Sequence, residues 1–128
     1  MRQFIFRGKS KKTGEWLYGD LVRNVEGAFA IVPPFEMTTD NLCDRYEVDE
    51  NTIGQYTGLT DGNDKEIYEG DIVTRQVLKS FFNYQIVFNN ATFCMKTSDD
   101  NFVPLMNIFL RSTIVKGNIY DNPELLKR

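Results

Sequence analysis

Histidine is missing from the chain altogether. That absence removes Ser-His-Asp and Cys-His nucleophile pairs, the usual zinc ligand sets and the commonest general base. Cysteine is scarce: Cys43 and Cys94 lie far apart and neither has a C-x-x-C neighbour. Neither a zinc knuckle nor a disulfide framework is indicated, and reduced thiols in a cytoplasm are expected. Long apolar runs are also lacking. The opening Phe4-Ile5-Phe6 is only three residues long before charge resumes at Arg7, too short for the hydrophobic region of a signal peptide, and no later segment approaches a membrane span. Secretion and membrane contact are not expected.

What is present is material for a core. The 128 residues are 41% hydrophobic and 26% charged, with ten Phe, six Tyr and one Trp, a globular balance that can fold without staples. The net charge of −3 conceals an asymmetry: residues 1–23 sum to +4, residues 24–68 to −8 and residues 69–128 to +1. Such a chain either sets its basic start against its acidic middle or displays opposite patches to partners.

Phe4-Ile5-Phe6 and Glu15–Val22 read as two strands joined by a glycine-closed loop, with Trp16, Tyr18 and Val22 on one face. Ala28–Val32 is a third strand, stopped by Pro33-Pro34 because proline cannot donate to a ladder. Residues 35–52 read as acidic loop with one short helix or strand near Arg45–Val48. From Asn51 onward glycine sets the texture, with Gly54, Gly58, Gly62 and Gly70 placed where turns call for positive φ. Strands are expected over Ile72–Leu78, Tyr84–Phe88, Thr92–Lys96, Phe102–Leu110 and Thr113–Tyr120, the second and third joined through Asn89-Asn90. Asn122-Pro123-Glu124 opens a terminal helical turn. The fold class is therefore all-β: an N-terminal β-hairpin module over residues 1–50 packed on an SH3-like small barrel over residues 51–128.

Four blocks stand out in order. They are Arg7-Gly8-Lys9 leading to Thr13-Gly14-Glu15-Trp16-Leu17-Tyr18-Gly19; Gly54-Gln55-Tyr56-Thr57-Gly58-Leu59; Glu66-Ile67-Tyr68-Glu69-Gly70-Asp71-Ile72-Val73; and Gly117-Asn118-Ile119-Tyr120-Asp121-Asn122-Pro123-Glu124-Leu125-Leu126. Together they resemble the YopX family of phage and prophage proteins, while residues 24–50 and 74–112 match it loosely. The resemblance implies a bacterial setting and one continuous domain, and it brings no activity and no catalytic residue with it. In Glu69-Gly70-Asp71-Ile72-Val73, glycine permits a tight corner, aspartate ties down turn amides and the β-branched pair enters a sheet.

No catalytic, cofactor or metal site is expected. Asp61-Gly62-Asn63-Asp64-Lys65-Glu66 has a lysine at the fifth position of a calcium loop and lacks the sixth-position glycine, so it reads as a hairpin turn. Gly54–Gly58 lacks the lysine of a phosphate loop. Adjacent acids such as Asp99-Asp100, or Glu69 with Asp71, read as solvated faces or caps. The reading is a non-catalytic binding or accessory protein contacting a host or phage protein, with Gln55, Tyr56, Thr57, Phe81, Phe82 and Tyr84 as candidate contact residues. The apolar runs Lys79–Tyr84 and Phe102–Leu110 suit a core or a subunit interface, and a homo-oligomer is expected. The alternative is nucleic-acid binding through Arg7, Lys9, Lys11, Lys12 and Trp16, a mixture of cations and a stacking ring. The acidic overall balance opposes it.

Overall fold

The computed structural model describes residues 3–34 and 45–127; Cys43 lies outside them. Ten strands are defined: β1 (Phe6–Lys9), β2 (Trp16–Arg23), β3 (Phe29–Val32), β4 (Gly54–Thr60), β5 (Glu66–Tyr68), β6 (Asp71–Val77), β7 (Ser80–Asn89), β8 (Thr92–Lys96), β9 (Phe102–Pro104) and β10 (Thr113–Asn118). A four-residue helix α1 (Asn107–Leu110) and two 3-10 turns (Glu50–Thr52 and Pro123–Leu126) are also defined. The all-β reading holds. The chain forms two compact units, Met1–Tyr56 and Thr57–Arg128. The division falls inside β4, later than residue 50, because Gly54 and Gln55 pair with Arg7 and Phe6 and so keep the start of β4 with the first unit.

In the first unit the strand order is β3-β2-β1-β4. β1 begins later than the apolar triplet suggests: Phe4 is exposed, and the ladder runs from Phe6 opposite Gly19 to Lys9 opposite Trp16. Register here follows the partner strands and not the local apolar content. Ala30, Ile31 and Val32 of β3 are buried together with Val48, and the stretch near Arg45–Val48 contributes bridges, Ala30 to Glu47 and Ser10 to Val48. Below it Asp49 caps the first 3-10 turn by accepting from Asn51 N–H, and Thr52 Oγ1 accepts from Lys9 N–H at 2.9 Å.

In the second unit β4 continues beside β5, and an antiparallel sheet runs in the order β10-β6-β7-β8-β9. That order has β9 and β10 at its two ends among the described residues. Period-two alternation places Val115, Val73 and Tyr84 opposite one another, and likewise Ile86, Met95 and Val103. Val73, Ile86 and Met95 join Ile67 and Leu110 in a buried cluster against which Leu59, Tyr84, Val103, Leu105 and Val115 pack. Each fully buried aliphatic side chain is worth roughly 1.5–3 kcal/mol of transfer free energy.

Two expectations are corrected. The strand expected over Phe102–Leu110 ends at Pro104; Leu105 N–H still bonds Phe93 O, and the chain then turns into α1. Of the four glycines read as positive-φ positions, Gly58 and Gly70 are so, at 87° and 88°, while Gly54 and Gly62 are not. The β7–β8 hairpin turns on Asn90 and Ala91, both left-handed, one residue beyond the asparagine pair as read. The block Glu69–Val73 matches its reading: Asp71, 2% exposed, accepts Tyr68 N–H at 2.8 Å, while Gly70 donates to Ile86 O and accepts from Ile119 N–H. A side chain at Gly70 would sit in the left-handed region with both backbone partners fixed, so Gly70→Ala lowers stability by about 1–2 kcal/mol. Urea unfolding followed by tryptophan fluorescence and circular dichroism checks the value.

Candidate functional site

The conspicuous blocks of the sequence are used up by corners. Asp61 is 5% exposed. One carboxylate oxygen accepts Asn63 N–H at 2.8 Å and Lys65 N–H at 2.9 Å; the other accepts Val115 N–H at 2.8 Å, from β10. Gly62 N–H adds a bond to Thr113 O, and a Cβ on Gly62 would stand 2.8 Å from Arg111 O, so only glycine permits this approach. Burial opposes ionisation of Asp61, yet the N–H groups of Val115, Lys65 and Asn63, with the Lys65 charge, hold its carboxyl below the ordinary 3.8. The loop is a latch. Among the described residues no group of three His, Cys, Asp or Glu is placed to hold a metal ion.

The closing block is knit the same way. Asn118 Oδ1 accepts from Tyr120 and Asp121 N–H, and Asn122 Oδ1 accepts from Asn118 N–H. In the second block, Thr57 Oγ1 donates to Ile67 O at 2.8 Å, and Gln55 and Tyr56 are half-buried members of β4, Tyr56 donating its N–H to Ile5 O. Gln55 and Tyr56 belong to the first unit and Thr57 to the second.

The basic candidates are similarly engaged. Arg7 is 5% exposed, its guanidinium 4.7 Å from the centre of the Trp16 ring, and Lys9 Nζ lies 5.6 Å from the same ring. Lys11 pairs with Glu47 at 3.2 Å, and Lys12 is exposed on the β1–β2 turn. Trp16 thus spends its face on the chain's own cations, leaving Lys12 as the exposed charge not bound into an ion pair or ring contact here.

Phe81, Phe82 and Tyr84 sit otherwise. Beyond the core, β6 and β7 run on as a two-stranded arm pairing Gln76 with Phe81 and Val77 with Ser80, turned at Leu78 (φ 58°) and Lys79. From Gln76 to Asn83 every residue is exposed, on both faces. Val77 is 37%, Leu78 92%, Phe81 67% and Phe82 49% accessible. At the arm's base a groove of about 560 Å³ is lined by Phe81, Phe82 and Tyr84, by Leu125 and Leu126, and by the β8–β9 turn with Lys96, Asp99 and Asp100. Asn83 Nδ2 donates to Leu125 O at 2.7 Å and ties the terminal turn to β7. Lys96 reaches Asp100 at 3.4 Å. Sequence reasoning found the aromatic half of this groove and missed Leu125, Leu126 and the acids, because they meet β7 only through tertiary structure.

The described residues thus form two small antiparallel β units, the second carrying an exposed aromatic arm beside a groove. The YopX protein family model matches residues 5–127, and the chain belongs to that family. Among solved structures it is similar to protein EF1440 from Enterococcus faecalis, with 23% identity, a TM-score of 0.66 and coverage of 99% of this chain and 100% of that one. It is also similar to protein yopX from Bacillus subtilis, with 20% identity, a TM-score of 0.62 and coverage of 100% and 98%. Among curated proteins nothing matches this sequence.

The Asp61 latch has a pH signature. A carboxyl that titrates lower in the folded chain than in the unfolded one contributes stability fully present above the unfolded value and lost as pH falls through the folded value. Stability therefore falls from about pH 5 downward. Asp61→Asn places an amide where Val115 N–H needs an acceptor, costs about 2–4 kcal/mol at neutral pH and flattens the acid dependence. Chemical denaturation of both proteins across the acid range measures the two effects together.

Proposed function

We infer that this YopX protein is a non-catalytic binding protein of phage or prophage origin, working in the bacterial cytoplasm and docking a host or phage protein with the β6–β7 arm and the groove at its base. The observation that carries this reading is the arm itself: Val77, Leu78, Phe81 and Phe82 are exposed on a ribbon whose two faces are both open. Apolar groups so grouped mark a protein-contact surface. Their aromatic content is what interface centres favour. The similar solved structures come from two bacteria, which accords with the setting.

The manner of docking follows from the sheet ends. At β9, Pro104 offers no N–H. At β10, Val115 N–H and Thr113 O are taken by the β4–β5 turn. In the first unit β3 is bridged by Glu47, and Val48 N–H bonds Phe29 O. Such edges discourage strand addition, so the partner is held by side chains. A catalytic reading finds little to use: the chain has no histidine, and the carboxylate of Asp61 is filled by three backbone donors.

The test is capture. Immobilised wild-type protein retains a protein partner from infected-host lysate after nuclease treatment, and Phe81→Ser with Phe82→Ser lowers retention at least about tenfold, as loss of two interface anchors should. The double variant keeps the wild-type melting temperature within a few degrees, because these side chains are already exposed. Retention that disappears with nuclease while surviving the double substitution transfers the function to nucleic acid and ends the protein-docking reading.

A further inference from the structure

Resting on that docking surface, we propose that its occupant is a second copy of this chain, the arm of one protomer lying in the groove of the other. Three observations bear on the choice. Phe81 and Phe82 belong to the arm and also line the groove, so arm and groove form one continuous apolar patch. A copy turned to place its arm in the groove presents its own groove to the first arm, and one arrangement covers both. A ribbon open on both faces, moreover, is enclosed by a cleft and not by a flat surface, and the groove of a second copy is such a cleft, with Tyr84, Leu125 and Leu126 along it.

The charges also fit. Between Asp71 and Asp99 the chain has no acid, and the arm carries Arg75 and Lys79. The groove's turn carries Asp99 and Asp100 together with Lys96, and Lys127 lies opposite. Lys96 engages one oxygen of Asp100, whose side chain is 80% exposed, which keeps Asp100 of one copy within reach of Lys79 on the other. The contact pairs unlike surfaces, so it closes as a twofold exchange of arms or as a small ring.

The experiment separates arm from groove. Leu78 is on the arm tip and not in the groove; Leu126 is in the groove and not on the arm. Light scattering coupled to size exclusion gives a multiple of 14.9 kDa for the wild-type chain. Leu78→Asp and Leu126→Asp each raise the dissociation constant at least about tenfold, the loss expected of a buried interface anchor, with unchanged circular dichroism. Mixed, the two variants reassociate, because one intact arm and one intact groove remain. Should Leu126→Asp not fold, Leu126→Ala keeps the backbone bonds of the turn and serves in its place. A wild-type chain that stays monomeric up to its solubility limit overturns the proposal, as does an oligomer that survives both variants or a mixture that fails to reassociate. A monomer whose arm variants still lose a lysate partner overturns only the self-association and leaves the docking reading standing.

Discussion

A single buried carboxylate sets the layout of the second unit. Asp61 bonds two amides of its own turn and one amide of β10, 54 residues further along. Closing so long a separation costs chain entropy that local contacts do not return. An ionised acceptor with three short bonds in a buried site is strong enough to hold it, and those N–H bonds outweigh burial in holding the carboxyl below its ordinary pKa. With that bond in place β10 is set beside the β4–β5 turn. Val115 and Val73 then share the core face, and the end of the sheet has no free register for another strand.

The same economy governs the other hallmark blocks. Asp71 on Tyr68, Thr57 on Ile67, and Asn118 with Asn122 are all short polar side chains satisfying backbone groups at corners. A small β unit has many corners for its size, and each exposes amides that the ladders do not reach. Residues that recur at such corners are conspicuous in the sequence because alternatives fit poorly there. In Gly54–Leu59 the residues that look most like a binding loop are half-buried strand positions, and the Thr57 hydroxyl is bonded to Ile67 O.

This division explains what could be read in the residues. Alternation and punctuation gave the strands from β2 to β8 outside the glycine block, since each has a local cause: β-branched pairs, asparagine turns, a proline stop. Three features had no local cause. β4 hides in a segment with two glycines, and only its pairing to β1 and β5 makes it a strand. β9 ends at Pro104 although the run to Leu110 is apolar, since helix and strand share that composition. The basic start looked like a nucleic-acid surface, but the spacing that puts Arg7 and Lys9 on one face of β1 also puts them against Trp16 on β2. Phe81, Phe82 and Tyr84 were legible as too apolar for their place; Leu125 and Leu126 were not, because a terminal turn carries no mark of the strand it meets.

The arm is where these constraints run out. Core packing ends at Val73 and Tyr84, yet β6 continues to Val77 and β7 starts at Ser80. An unsupported two-stranded ribbon is marginal in water, and this one also turns through Leu78 at positive φ, a conformation that costs a branched residue roughly 1–2 kcal/mol. Glycine or asparagine would remove that cost. Glycine takes the positive-φ corners at Gly58 and Gly70, while Asp64, Leu78, Asn90, Ala91 and Asp100 adopt that region with a side chain, and of these Leu78 carries the largest apolar one, 92% exposed. Backbone stability is thus given up at Leu78, beside Phe81 and Phe82, which the described residues leave exposed, in a segment that the hallmark blocks do not include.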